Sequence, residues 1–220
     1  MNRSQPYELP LFPLNTVLFP GMPLPLHIFE ERYKLLVEAC LRDHRPFGVA
    51  LIKSGHEVGA PAKPYPVGTT TRIVSVERLP EGRLNIETVG ENRFRILEFH
   101  PAQPYLSALV EDYPMIDADM PTLPALAARL RPWVSQYMTL LAQAAETPFD
   151  SNRLPTEPLA LAYLAAIVLQ IPNRAKQILL SLPSLINLLE RERQIYRNEI
   201  VILKTLLQRI PAEDSPFSSN

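Results

Sequence analysis

The 220-residue sequence predicts an α+β fold, a β-rich N-terminal region with one helix followed by an α-helical bundle. Three observations point there. Up to about residue 115, apolar residues mostly alternate with polar ones, the period of half-buried strands. Beyond about residue 120 they recur at three- and four-residue intervals, the period of amphipathic helices. Throughout, 24 prolines against 7 glycines call for short elements joined by rigid turns. The expected division is residues 1–115 (β-rich), 116–210 (helical) and a flexible tail at 211–220, with no internal repeat.

The most specific pattern lies at residues 9–33, LPLFPLNTVLFPGMPLPLHIFEERY, where Pro10, Pro13, Pro20, Pro23 and Pro25 break two apolar runs. Proline cannot donate to a sheet ladder, so it sits at strand starts, edges or bulges. The segment reads as two short extended pieces joined at Phe19-Pro20-Gly21, where Pro20 fixes one φ and Gly21 permits the other. A helix over about residues 30–43 follows, with Tyr33, Leu36, Val37, Cys40 and Leu41 at helical spacing. Glu30 and Glu31 at its start suit the positive end of the helix dipole. Strands are expected at 46–53, 67–78, 83–89, 93–99 and 105–113. The 79–83 turn makes a hairpin of the second and third, with Gly82 free to take a positive φ.

Helices are expected at 123–145, 157–169, 173–181 and 183–209, with a polar loop at 146–155. Pro124 fits a first turn, whereas Pro132 should kink or split the first of these helices. In the last, Leu188-Leu189, Ile195-Tyr196 and Ile202-Leu203 repeat every seven residues as a narrow seam. The seam packs within a monomer or, alternatively, in a weak homodimer. Glu190, Arg191, Glu192 and Arg193 read as a solvated charged face.

Composition narrows function. A net charge of -1 gives no global field toward nucleic acid or anionic lipid. One cysteine, Cys40, excludes an internal disulfide framework, and its apolar neighbours mark it as a buried small hydrophobe. No basic region followed by an apolar run opens the chain, and the longest apolar run, residues 159–169, is about half a bilayer span. A cytoplasmic protein with no membrane partner is expected. Scarce glycine and the absence of any Gly-Lys dipeptide leave no phosphate-cradling loop; the Gly55/Gly59 pair has the wrong spacing and reads as a surface loop. No serine sits in a G-x-S-x-G elbow. His27, His44, His56 and His100 lie on separate elements, His27 reading as a buried, hydrogen-bonded side chain. No catalytic residue, metal site or cofactor is expected.

The 9–33 run resembles the opening of the substrate-binding N-terminal domain of the Lon protease family: an L-P-L-F-P-L run, an F-P-G turn, a P-L-x-I-F-E strand end, then R-Y. Gly90 to Ile96 (GENRFRI) is similar to that domain's G-x-x-R-F-R-I pattern. Lys176 to Leu180 (KQILL) and Leu188 to Glu192 (LLERE) are similar to stretches of its helical tail. The resemblance covers about residues 8–208 and implies a PUA-like β-rich pseudo-barrel, one helix across it, and a C-terminal bundle. It also implies a non-catalytic module recognising unfolded or damaged polypeptide in protein quality control. The ATPase and Ser-Lys protease modules of full-length Lon have no counterpart in these 220 residues. Work as an adaptor to a separate protease, as a holdase, or through another partner such as a chaperone all stay open.

Phe19, Pro20, Met22, Arg32, Tyr33, Arg93 and Arg95 are the candidate peptide-binding residues. Arg93 and Arg95 flank Phe94 and point to the opposite strand face, a pair suited to a carboxylate or phosphate. Cross-strand ion pairs to Glu87 or Glu98 are the plainer reading. RNA binding is the alternative, since PUA-like barrels include RNA binders and arginine outnumbers lysine 17 to 5. The balancing acids and lack of a basic stripe weigh against it. A hydrolase with an unrecognised site is the remaining alternative.

Overall fold

Five strands close on one another around Phe94. The computed structural model describes residues 5–57, 62–100 and 104–209; the expected tail at 211–220 and Gly59 fall outside them. β1 (Tyr7–Leu14), β7 (Ser107–Asp112), β6 (Leu84–His100), β5 (Val67–Arg78) and β3 (Phe47–Ser54) are neighbours in that order. A parallel β1–β3 pairing completes the circuit. Inside, Phe94 is fully buried with Leu9, Leu11, Ala50, Ile96, Ala108 and Val110. Its ring occupies the space that a Cβ on Gly48 or Gly68 would need, 2.7 and 2.6 Å away. Two of the few glycines are therefore spent on letting strands approach one aromatic ring.

β6 was expected as two strands, at 83–89 and 93–99, but it is one 17-residue strand. Register shifts against β5, between Thr69 and Thr71 and between Ile73 and Ser75, absorb its bend without ending the ladder. This length gives β6 two jobs. Its C-terminal half pairs with β7, and its N-terminal half pairs with β2 (Pro23–Ile28). The 79–83 turn contains a short 3-10 segment, Pro80–Gly82, and both Glu81 and Gly82 take positive φ. A two-residue β4 (Lys63–Pro64) pairs with β3.

α1 (Glu31–Arg42) buries Tyr33, Leu36, Val37 and Cys40 against Phe12, Phe47, Val49, Leu84 and Ile86. Burial pushes the Cys40 thiol up to about 11, the behaviour of an inert packing residue. The helical region holds α2 (Leu123–Ala144), α3 (Pro158–Val168), α4 (Asn173–Ser181) and α5 (Leu185–Arg209). α2 is a single helix despite Pro132, which lies on its exposed side, where the carbonyl deprived of a donor is accessible to solvent rather than buried. The α5 seam is buried at Leu188, Leu189 and Tyr196 against α2 and α3, but it leaves the core at Ile202. Glu192 does not lie on a solvated face as expected: it is 0% exposed, and neither carboxylate oxygen has a hydrogen-bond partner among the described residues. One apolar cluster runs from the bundle into the barrel through Val17, Phe19, Leu51, Val67 and Met115.

Candidate functional site

Beside each of two concavities, in contact with residues that line it, an arginine stacks on a tyrosine. The first lies beside β2. The Pro20-Gly21 turn, with Gly21 at φ 79°, sends the chain back along β6, where Gly21 and Gly90 are joined by a 2.8 Å hydrogen bond. Gly90 is required there, because a Cβ would come within 2.4 Å of the Phe19 carbonyl. Among the described residues β2 then pairs with β6 alone, along one side. Between β2, the end of β1 and the start of α1 lies a cavity of about 170 Å³. Phe12 and Leu14 from β1, Pro25, Leu26, His27 and Ile28 from β2, and Tyr33 and Phe29 line it, with Glu30 and Glu57 completing the lining.

The Tyr33 ring is held between two partners. Phe12 stacks on one side at 3.8 Å between centroids and 8° between planes, and the Arg32 guanidinium lies 4.5 Å from the ring centre. Burial pushes the Tyr33 hydroxyl up to about 12, so the phenol stays neutral. Arg32 also pairs with Glu30 at 2.9 Å and donates to the Glu57 carbonyl at 3.2 Å. Phe29, at the mouth, is half exposed. His27 is not buried as expected; it sits on the outer face of β2, with Nδ1 2.7 Å from Asn85 Oδ1.

The second concavity, about 440 Å³, lies where α4 meets the barrel, lined by Tyr65, Arg174, Gln177, Ile178, Ser181 and Leu182. Arg93 holds this junction together. Its Nη1 donates to the Leu180 and Leu182 carbonyls at 2.8 and 2.6 Å, and its Nη2 lies 3.0 Å from Met115 Sδ. Those carbonyls end α4, so the cation meets the negative pole of the helix. Tyr113 donates to the Ser181 carbonyl at 3.1 Å, and both Arg93 and Arg95 stack on its ring, at 4.8 and 4.1 Å. The same-face reading of the two arginines therefore holds, but their partners differ from those expected. Arg95 pairs with its cross-strand neighbour Glu111 rather than Glu87 or Glu98, and Arg93 pairs with carbonyls. From α4, Gln177 Nε2 donates back to the Val67 carbonyl at 3.0 Å.

The seven sequence-derived candidates thus separate. Arg32 and Tyr33 meet at the first cavity; Arg93 and Arg95 meet at Tyr113. Phe19 and Pro20 form the turn before β2, and Met22 packs against both the barrel and the bundle cores. Phe19, Tyr33 and Arg93 are buried, while Pro20, Met22, Arg32 and Arg95 keep partial exposure. Sequence reasoning missed Phe12, Leu26, Phe29 and Glu57 at the first cavity and Tyr65 and Gln177 at the second. The alternating Pro23 and Pro25 were the available signal for the first, since they mark an edge strand. Among the described residues no group of three or more His, Cys, Asp or Glu could hold a metal ion. No helix there is long and apolar enough to cross a membrane.

The family model for the ATP-dependent protease La (LON) substrate-binding domain matches residues 8–197. A Lon protease of Anaeromyxobacter dehalogenans is 30% identical over 204 residues, covering 87% of this chain and 24% of that protein. Lon protease 2 of Myxococcus xanthus is 29% identical over the same shares. The chain thus spans about a quarter of the length of these curated relatives. Among solved structures, a Lon N-terminal domain protein from Xanthomonas campestris superposes with TM-score 0.61 at 29% identity, covering 84% of this chain and 96% of the other. The N-terminal domain of a Mycobacterium avium complex Lon protease gives TM-score 0.68 over 87% and 99%, at 19% identity, and speaks to the fold alone.

Proposed function

Because this chain belongs to the LON substrate-binding domain family, we propose that it is a non-catalytic module that recognises unfolded or damaged polypeptide. Its matched region corresponds to the substrate-binding segment of its relatives and to no catalytic one. The observation that carries the reading is the cavity beside β2: an apolar recess, open at the edge of a sheet, with a half-exposed phenylalanine at its mouth. Its volume suits one bulky side chain, which a folded protein keeps inside and an unfolded one offers. In the cell, the module hands such chains to a separate protease or chaperone, an adaptor role in quality control in the cytoplasm.

The test is direct. The purified 220-residue chain is titrated with a labelled protein in native form and in reduced, carboxymethylated form, and binding is read by fluorescence anisotropy. Binding of the unfolded form alone, with no loss of its length on gels with or without ATP, is the expected result. Equal indifference to both forms removes the recognition role; ATP-independent or ATP-dependent cleavage removes the non-catalytic one.

A further inference from the structure

The open edge of β2 is chemically one-sided. The Gly90 N–H donates to the Met22 carbonyl at 3.0 Å and the Thr88 hydroxyl to the Leu24 carbonyl at 2.8 Å, which places both of these backbone groups on the β6 side. In an antiparallel pair these groups alternate from side to side along the strand. Those of Leu24, Leu26 and Ile28 therefore face β6, and those of Pro23, Pro25 and His27 face the open edge. Two of these three residues are prolines, with no N–H to offer. The edge thus presents three carbonyl acceptors and a single donor, on His27. An ordinary strand cannot zip onto it, because a ladder needs donors and acceptors in alternation.

Beside this edge lies the apolar cavity, and the two charged residues in its lining, Glu30 and Glu57, are both acidic. Arg32 is engaged with Glu30, and Lys34 lies 3.4 Å from Glu31, so the nearby cations are already committed. Glu57 accepts the Asn15 N–H through Oε2 at 3.1 Å, which holds its carboxylate at the rim. Apolar walls, carbonyls and carboxylates together are complementary to a cation carried next to an apolar group.

We propose that β2 and its cavity take an extended polypeptide segment in which a bulky apolar side chain adjoins a lysine or arginine. The apolar side chain fills the space between Phe12, Leu26 and Tyr33. The neighbouring cation is received by the carbonyls of Pro23 and Pro25 and by Glu57. This rests on the polypeptide-recognition reading and adds to it a preference: basic-apolar segments over acidic-apolar ones. The two prolines supply specificity by withholding main-chain pairing from every sequence, so that the apolar side chain and the cation decide which segment binds.

Three labelled peptides, identical Gly-Ser chains with Phe-Lys, Phe-Glu or Ser-Lys at the centre, are titrated onto the full 220-residue chain by fluorescence anisotropy, with unlabelled carboxymethylated protein as a competitor. Phe-Lys is expected to bind about tenfold tighter than either of the others. Glu57→Gln is expected to weaken Phe-Lys about threefold and, by removing a like charge, to strengthen Phe-Glu, with the thermal midpoint of the variant checked against the parent. Pro25→Ala gives the edge a second donor and is expected to narrow the gap between Phe-Lys and Phe-Glu. Equal affinity for Phe-Lys and Phe-Glu, or Phe-Lys binding indifferent to both substitutions, overturns the preference. If the carboxymethylated protein still binds in that case, general polypeptide recognition stands without it. If that protein does not bind either, both readings fall.

Discussion

Arg32 on Tyr33 and Arg93 on Tyr113 are the same pair of side chains in opposite circumstances. Arg32 keeps about a quarter of its side chain in solvent, is balanced by a carboxylate and contacts three residues that line an open cavity, Glu30, Tyr33 and Glu57. Arg93 is 3% exposed, is held by the last carbonyls of a helix and has an Nε with no partner. No carboxylate pairs with it among the described residues. An exposed pair can exchange partners at little cost, whereas a buried cation has its geometry dictated by every group around it. The first therefore suits recognition, and the second suits joining two parts of a fold.

Breaking the buried pair is expected to have the largest effect. Arg93→Ala removes the donors from the Leu180 and Leu182 carbonyls and leaves a void under Tyr113; a loss of about 3–5 kcal/mol is expected in urea unfolding. Arg93→Lys keeps the charge but not the fork that reaches two carbonyls, and should recover only part of the loss. A cost for Arg93→Ala below about 1 kcal/mol would erase the distinction between the two stacks.

Glu192 sharpens the comparison, because it is buried as deeply as Arg93 but can escape its charge by binding a proton. Desolvation raises its pKa well above the usual carboxylate range. In the unfolded chain it ionises near pH 4.3. The folded state therefore binds the extra proton, and the stability this group permits is complete below that pH and falls as pH rises above it. Glu192→Leu removes the penalty and should stabilise the chain by about 1–3 kcal/mol at pH 7, with the gain shrinking toward zero near pH 4. A gain that does not change with pH would mean the carboxyl is not protonated in the fold.

Asp117 shows the opposite sign at the start of α5. Partial burial works against its charge, but hydrogen bonds from Ser184 and from the Leu185 and Ile186 amides prevail and hold its pKa below the usual value. Its contribution is present above the unfolded carboxylate value and is lost as pH falls through the lower folded one. Asp117→Asn should cost about 1 kcal/mol at pH 7 and progressively less as the pH is lowered below the usual carboxylate range, read from urea midpoints along the series.

Much of this architecture was legible in the sequence. The switch from period 2 to helical spacing near residue 115 located the change from strands to helices, and the prolines of 9–33 located the turn and the edge strand. What escaped was set by contacts distant in sequence. Nothing near Glu192 in the chain announces its burial, since its neighbours Arg191 and Arg193 imply solvent; the helical face that packs on α2 and α3 decides it. Arg93 and Arg95 share a strand face, as alternation requires, yet their partners come from α4 and β7, which no local spacing specifies. Of the cavity beside β2, the sequence exposed the prolines and Tyr33 but not Glu57, brought in by the loop after β3.

The smallest effect on stability is expected at Arg32. Its Arg32→Ala variant loses one partly exposed ion pair and a cation–π contact, each worth about 0.5–1 kcal/mol at such sites, and relieves an Nε that has no hydrogen-bond partner. A net change under about 1 kcal/mol in urea unfolding is expected. Binding should respond more than folding does: Arg32→Ala takes one positive charge away from a cavity lined by Glu30 and Glu57, and a Phe-Lys peptide should bind about two- to fivefold tighter at low salt, with the gain fading at high salt. If Arg32→Ala instead destabilises as strongly as Arg93→Ala, the stack on Tyr33 is a structural joint like the one on Tyr113, and the open edge of β2 loses the adaptability that distinguishes it.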